Sequence, residues 1–293
     1  MNIDSRLVSV CGWIVCNILS QKSISESAVC ATQLKIQYEA NSPQYVNMYI
    51  GVDGCSDGWI AVWYDTTGYV DSGLYQSIGD LWDDHGDSAD TILIDVPIGL
   101  RESSAKKRPC DDDARQKLSP NRHSSVFPVP VRAAVHEDCY EEAKSTQEER
   151  TDSSLGVQSW HISNLIAQLD TFLLETAPDA IGTIREAHPE VCFWALNEKT
   201  ATTHSKTQQP AAAFWERIGI LESIDASITA NVREAATGFN ADVGNDDFID
   251  AFALALTASP KTGNFHTLPE KWPNNDPGDP TNKLPMEMVY AHQ

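Results

Sequence analysis

Three apolar runs that each close on an acid place the tightest limit on what this chain can become. Met48 to Asp53 (MYIGVD), Thr91 to Asp95 (TILID) and Ala180 to Glu186 (AIGTIRE) are short and largely apolar, and each ends on a carboxylate. Such runs, punctuated by glycine and proline, read as strands of a sheet covered on both faces. A carboxylate at the end of a buried strand is costly unless something pairs with it. A fourth acid, Asp250, lies inside the apolar helical pattern from Asp246 to Thr257 (DDFIDAFALALT). Asp246 and Asp247 stand four and three residues before it, on the same helix face.

The stretches between these runs fix their order. Trp59 to Tyr64 and Tyr69 to Tyr75 flank Asp65-Thr66-Thr67-Gly68 and read as a hairpin. Ser77 to about Asp84 reads as a short helix, with Ser77 as its cap and Asp80 three residues on. Residues 98 to about 131 are rich in proline, serine and charge, and read as loop with one short helix. Helices are predicted over 132–148, 155–176, 211–221 and 246–257, and a proline-rich tail from Pro260 ends on an apolar stretch at Met286 to Tyr290. The order β-β-β-α-β-α-β-α predicts an α/β fold of the ribonuclease H-like kind. It has a mixed five-stranded sheet flanked by helices, with a helical insertion at about 98–177 after the fourth strand, and the domain occupies 48–293.

Charge divides the chain. There are 42 Asp and Glu against 21 Lys and Arg, a formal net charge of −21, yet residues 1–47 are balanced and the surplus falls entirely after them. Dense carboxylates stay hydrated in concentrated salt, where a Debye length of about 3 Å at 1 M screens their repulsion. The composition points to a halophilic source and a cytoplasmic setting. Residues 1–47 lack that signature, and Met48 opens the first strand, so 1–47 reads as a non-native or disordered leader. A signal peptide is the competing reading, since Arg6 precedes the apolar run Leu7 to Leu19. Asp4 lies in the same segment, however, and no small-x-small cleavage site follows. The apolar run is shorter than the roughly 20 residues that span a bilayer, so no membrane partner is expected. Seven scattered cysteines, none in C-x-x-C spacing, read as reduced thiols.

Clustered carboxylates repel one another unless a divalent cation sits between them. Asp53, Asp95, Glu186 and Asp250 are therefore the candidate catalytic acids, and Asp53, Asp95, Asp247 and Asp250 the candidate ligands of Mg²⁺ or Mn²⁺. Oxygen-only donors suit these hard ions. Two such ions about 3.5–4 Å apart would activate a water and stabilise the leaving oxygen of a phosphodiester. The alternative is that single acids cap helices or face solvent.

A basic island follows Asp95. Between Arg101 and Arg132 stand eight Lys and Arg residues against four acids. Arg101, Lys106, Lys107, Arg108, Arg115, Arg122 and Arg132 are the candidate nucleic-acid contacts, placed to hold phosphates beside an acidic metal site. The alternative is a solvated loop pairing with the acidic surface. His188, two residues past Glu186, is a candidate for orienting water or touching phosphate, or a packed loop histidine. Trp59, Trp63, Trp160, Trp194 and Trp215 read as core rather than as base-stacking platforms.

Several stretches together resemble the domain of unknown function 429 family, whose members are described as predicted nucleases of ribonuclease H fold. They include Ile50-Gly51-Val52-Asp53-Gly54-Cys55 with Gly58-Trp59, Ile94-Asp95-Val96-Pro97-Ile98-Gly99-Leu100, Arg108 to Asp111, and Ser125-Val126-Phe127-Pro128 with Pro130 and Arg132. Gln158-Ser159-Trp160 with Ile162, Glu186-x-His188-Pro189-Glu190-Val191, Asp247-x-x-Asp250-Ala251 and Leu284-Pro285-Met286 complete the set. The resemblance covers about residues 48–290. The Asp247-x-x-Asp250-Ala251 helix is similar to that of RuvC-type junction resolvases, which implies Asp53, Asp95 and Asp250 as metal ligands with Asp247 as a further one. Those resolvases lack a match for Glu186.

The leading expectation is a metal-dependent nuclease that cuts a nucleic-acid phosphodiester by two-metal-ion catalysis. The alternatives are a non-catalytic nucleic-acid or protein-binding scaffold, or a nucleotide-binding phosphotransferase-like protein.

Overall fold

A computed structural model describes residues 47–103, 106–239, 243–274, 276–281 and 283–292. The reading of 1–47 as a leader thus falls, Asn47 apart, outside the described residues.

The chain opens with three antiparallel strands, β1 (Met48–Cys55), β2 (Gly58–Tyr64) and β3 (Tyr69–Tyr75). The β2–β3 turn is held by Asp65, whose Oδ1 accepts from the amides of Thr67 and Gly68 at 2.6 and 3.0 Å. Helix α1 (Ile78–His85) starts on the expected capping box: Asp80 N–H donates to Ser77 Oγ, and Ser77 N–H donates to Asp80 Oδ2, both at 3.1 Å. Strand β4 (Ala89–Ile94) then returns parallel to β1.

The insertion holds α2 (Pro109–Lys117), α3 (Arg132–Val135), α4 (Tyr140–Thr151), α5 (Val157–His161) and α6 (Ser163–Thr171). The two long helices expected here are each broken: Cys139 is extended between α3 and α4, and α5 and α6 meet at Ile162. Strand β5 (Ile184–Glu186) is only three residues long. It is followed by α7 (Pro189–Leu196), α8 (Pro210–Glu222), α9 (Ile228–Gly238) and α10 (Asn245–Ala258). The tail forms a separate antiparallel ribbon, β6 (Asn264–Leu268) and β7 (Met288–His292), where a loop with a short apolar end was expected.

The main sheet has the order β3-β2-β1-β4-β5, with β1, β4 and β5 parallel and β2 and β3 antiparallel. This mixed five-stranded α/β sheet is consistent with the ribonuclease H-like arrangement. Strand alternation divides its core. Ile50, Val52, Ile92 and Ile94 pack with Leu81, Ile166, Leu169 and Phe172 on one side. On the other, Ile60, Val62 and Tyr64 pack with Phe252 and Leu256 of α10, while Leu93 packs with Leu254 and Ala258. Among the described residues no helix is long and apolar enough to cross a membrane. Cys55, Cys110, Cys139 and Cys192 are free thiols. Trp59, Trp63 and Trp194 are buried as expected, but Trp215 on α8 is 61% exposed.

Candidate metal centre

The site is built where α10 crosses the carboxyl ends of β1 and β4. Gly51 makes the crossing close, because a Cβ there would lie 2.2 Å from the Ala251 carbonyl oxygen. With Ala251 and Ala255 as the facing residues, the helix rests almost on the strand backbone and brings Asp250 over Asp53. In the parallel ladder Val52 is level with Ile94. Asp53 and Asp95 therefore occupy the next level together, and both point toward α10. The Asp95 amide donates to the Val52 carbonyl at 3.0 Å, which holds Asp95 against the end of β1.

Asp53, Asp95 and Asp250 each present one carboxylate oxygen, and these three oxygens lie within 4.8 Å of one another. Asp53 and Asp250 are 8% and 5% exposed. Burial pushes the Asp53 carboxyl well above the ordinary range, and the nearby Asp95, Asp250 and Asp247 push it further. Burial also raises Asp95, against the pull of His188 and Lys206, and lifts Asp250 to about 6 against that of Lys206. Asp247 stands one turn earlier, outside the group of three. It is itself raised by burial and by Asp246.

Lys206, from the loop between α7 and α8, reaches into the cluster and donates to Asp250 Oδ2. Burial works against its charge, but Asp250 and Glu190 outweigh that and keep it protonated. The other Asp250 oxygen, Oδ1, is buried and has no hydrogen-bond partner. A buried, unpaired carboxylate oxygen is expensive. Here it stands beside two more carboxylates in an oxygen-only set. That donor chemistry fits Mg²⁺ or Mn²⁺, whose charge would favour the ionised form of three carboxyls that burial above all holds raised. Asp95 and Asp250 open onto a cleft of about 510 Å³, walled also by Arg122, Ser125, His188 and Lys206.

The model of the family described as "Protein of unknown function (DUF429)" matches residues 51–273, which include every member of this cluster. The chain belongs to the DUF429 family. No curated protein and no solved structure matches it.

Other residues singled out in the DUF429 sequence are placed differently. Glu186 is level with Ile94 in the β4–β5 ladder, one residue short of the level of Asp95. Strand alternation turns it to the opposite face of the sheet, so it does not join the aspartates. It accepts from Arg108 at 2.5 and 2.8 Å and from the Ile98 amide at 2.6 Å. Arg108 also grips Asp111 at 2.6 Å. Cys110, Asp111 and Glu186 form a second group of close donors, but the Arg108 guanidinium already lies against both carboxylates, and burial raises Glu186 to about 7. Burial opposes the Arg108 charge, and Asp111 and Glu186 outweigh it.

The basic island is largely consumed inside the DUF429 fold. Arg101, buried, donates to both oxygens of Asp276 at 2.7 Å and to the Lys107 carbonyl at 2.9 Å. Arg132 donates to Asp170 at 2.9 and 3.0 Å and to Asp279 at 2.5 Å. Arg101, Arg108 and Arg132 are therefore braces of the insertion, contrary to the expectation that they hold phosphates. Arg115 donates to the Val126 carbonyl, and Lys106 and Lys107 are exposed away from the cleft lining. Of the island candidates only Arg122 and Arg108 line the cleft, and Arg122 Nε is buried without a partner.

His188 caps α7. Its Nδ1 accepts from the Glu190 amide at 3.1 Å, which leaves Nε2 as the donor to the Ser125 carbonyl at 3.3 Å. Sequence reading missed Lys206 and the buried pair of Glu190 with Arg217. Glu190 was in view as part of Glu186-x-His188-Pro189-Glu190, and its burial on an otherwise apolar helix is the signal that it needs a cation.

Proposed function

We propose that this DUF429 protein is a divalent-cation-dependent nuclease that hydrolyses a nucleic-acid phosphodiester. The observation that carries the reading is the convergence of Asp53, Asp95 and Asp250, from the first strand, the fourth strand and the last long helix, with their oxygens within 4.8 Å. A bound Mg²⁺ or Mn²⁺ supplies Lewis acidity toward a phosphate oxygen and toward water.

The chain's own groups supply the rest. Asp53, Asp95 and Asp250 hold the cation, and Asp247 at the first turn of α10 adds negative charge to that side. Lys206 and Arg122 bring positive charge to the cleft wall, where a phosphate anion would be held. In the reaction, water oxygen adds to phosphorus, the bond from phosphorus to the leaving oxygen breaks, and the proton from water ends on that oxygen or in solvent.

The net charge of −21 opposes approach of a polyanion at low salt. In the cytoplasm of a halophile that repulsion is screened, and the contacts at short range decide. The reading is tested by incubating the full chain with single- and double-stranded DNA and RNA in concentrated KCl, with and without Mg²⁺ or Mn²⁺. Cleavage that needs the metal and falls about 10³-fold in Asp53→Asn supports it. Equal cleavage by that variant, or none by either, contradicts it and favours a binding protein on the same fold.

A further inference from the structure

Room for a second cation is the question that the cluster poses most sharply. Two ions about 3.5–4 Å apart must share an oxygen-bearing ligand and find further acids on the far side. Asp250 Oδ1 is unpaired, but its Oδ2 is taken by the Lys206 ammonium. The other acids along the cleft are also committed. Glu190 has one oxygen on Arg217 and the other on Thr202 Oγ1 at 2.8 Å. Glu186 and Asp111 are gripped by Arg108. Among the described residues near the cluster, Asp246 and Asp247 at the start of α10 are the acids left beyond the three clustered aspartates, and Lys206 reaches the cluster beside them.

Resting on the reading of the cluster as a metal centre, we propose that Lys206 occupies the place of the second ion, so that the site loads one divalent cation per chain. The ammonium then supplies a fixed positive charge at the cleft wall, where a two-ion site would carry its second metal. Its placement supports this: Lys206 donates to one oxygen of the carboxylate whose other oxygen is buried and unpaired, and it lines the same cleft as Asp95, Asp246 and Asp250. A lysine in a buried acidic cluster is held by those acids rather than by solvent, and its loss leaves Asp250 Oδ2 as free as Oδ1.

The test counts ions. Mn²⁺ is titrated calorimetrically into the full chain, Lys206→Met and Lys206→Arg in about 2 M KCl, where surface binding is screened. The proposal expects one ion per chain for wild type and Lys206→Arg, and two for Lys206→Met. Electron paramagnetic resonance supplies an independent sign, with an isolated-ion spectrum for wild type and an exchange-coupled pair for Lys206→Met. Two ions in wild type, or a single ion in folded Lys206→Met, overturn it while leaving the metal centre standing. Should Lys206→Met not fold, Lys206→Gln takes its place, and the wild-type count decides in either case. No Mn²⁺ bound by any of these proteins removes the metal centre itself, and this inference with it.

Discussion

The amide nitrogen of Ala255 lies so near Gly51 that a Cβ on Gly51 would sit 2.1 Å from it. This contact between strand and helix backbones sets the height of α10 above β1, and hence the separation of Asp250 from Asp53.

Gly51→Ala should therefore act on both stability and site. The methyl cannot be accommodated by a side-chain rotation, because what it meets is backbone, so the helix must lift. Overpacking of this kind costs about 3 kcal/mol or more, at the upper end of the usual range. Thermal unfolding should fall by about 6–12 °C on the size scaling for a chain of this length. Divalent-cation affinity should fall with it, while Ala at the exposed Gly219 inside α8, where nothing lies within 4 Å, should leave affinity unchanged and raise stability by up to about 1 kcal/mol.

Proton and cation compete for the aspartates. Asp250 is raised to about 6, and Asp53 and Asp95 are raised as well, by burial and by neighbouring charge. A carboxyl whose folded value lies above its unfolded value keeps a proton that the unfolded chain has already lost. The metal-free protein should thus lose stability as pH rises from about 4 to about 6, on the order of 2–3 kcal/mol from Asp250 alone. Added Mn²⁺ should raise the melting temperature strongly at about pH 7.5 and little at about pH 5. Melting curves across pH, with and without Mn²⁺, check the sign; equal metal stabilisation at both pH values would contradict it.

Arg108→Met tests the brace on the other face of the sheet. It leaves Glu186 and Asp111 buried without their cation, at a cost of about 3–5 kcal/mol. The loss should be read as a lower urea midpoint with an unchanged slope. It should shrink when the buffer is acid enough for Glu186 to take up a proton, and adding Glu186→Gln should recover part of it. A variant as stable as wild type would show that the guanidinium does not hold the insertion to β5.

How much of this was legible in the sequence follows from how far each partner lies along the chain. The acids near the ends of the strands, the Ser77–Asp80 capping box and helix α10 are local patterns and fall close to their expected places, although Asp53 lies inside β1, Asp95 just past β4, and β5 keeps only the end of the run from Ala180. Glu186 ends a strand as Asp95 does, yet a one-residue difference in ladder level turns it to the other face, and no single strand carries that information. The basic island looked like a surface feature because its partners are remote. Arg101 meets Asp276, Arg108 meets Glu186, and Arg132 meets Asp170 and Asp279. Helix α7 is buried on every side, so its eight residues show no 3.6-residue period, and only Pro189 at its start hinted at it. Lys206 sits in a polar loop, Ser205-Lys206-Thr207, with nothing nearby in sequence to distinguish it from a solvated lysine.

The most direct test of the carboxylate cluster as a metal centre is calorimetric titration of Mn²⁺ into the full chain in concentrated KCl, beside Asp53→Asn. Asp53 is buried among the other acids, so its amide variant should remain folded and melt higher than metal-free wild type, since one repelling charge is gone. The account predicts saturable binding to wild type, weakened more than about 100-fold in Asp53→Asn. Equal binding by the two proteins, or no binding by wild type at about 10 mM Mn²⁺ from about pH 7 to 8.5, would contradict it.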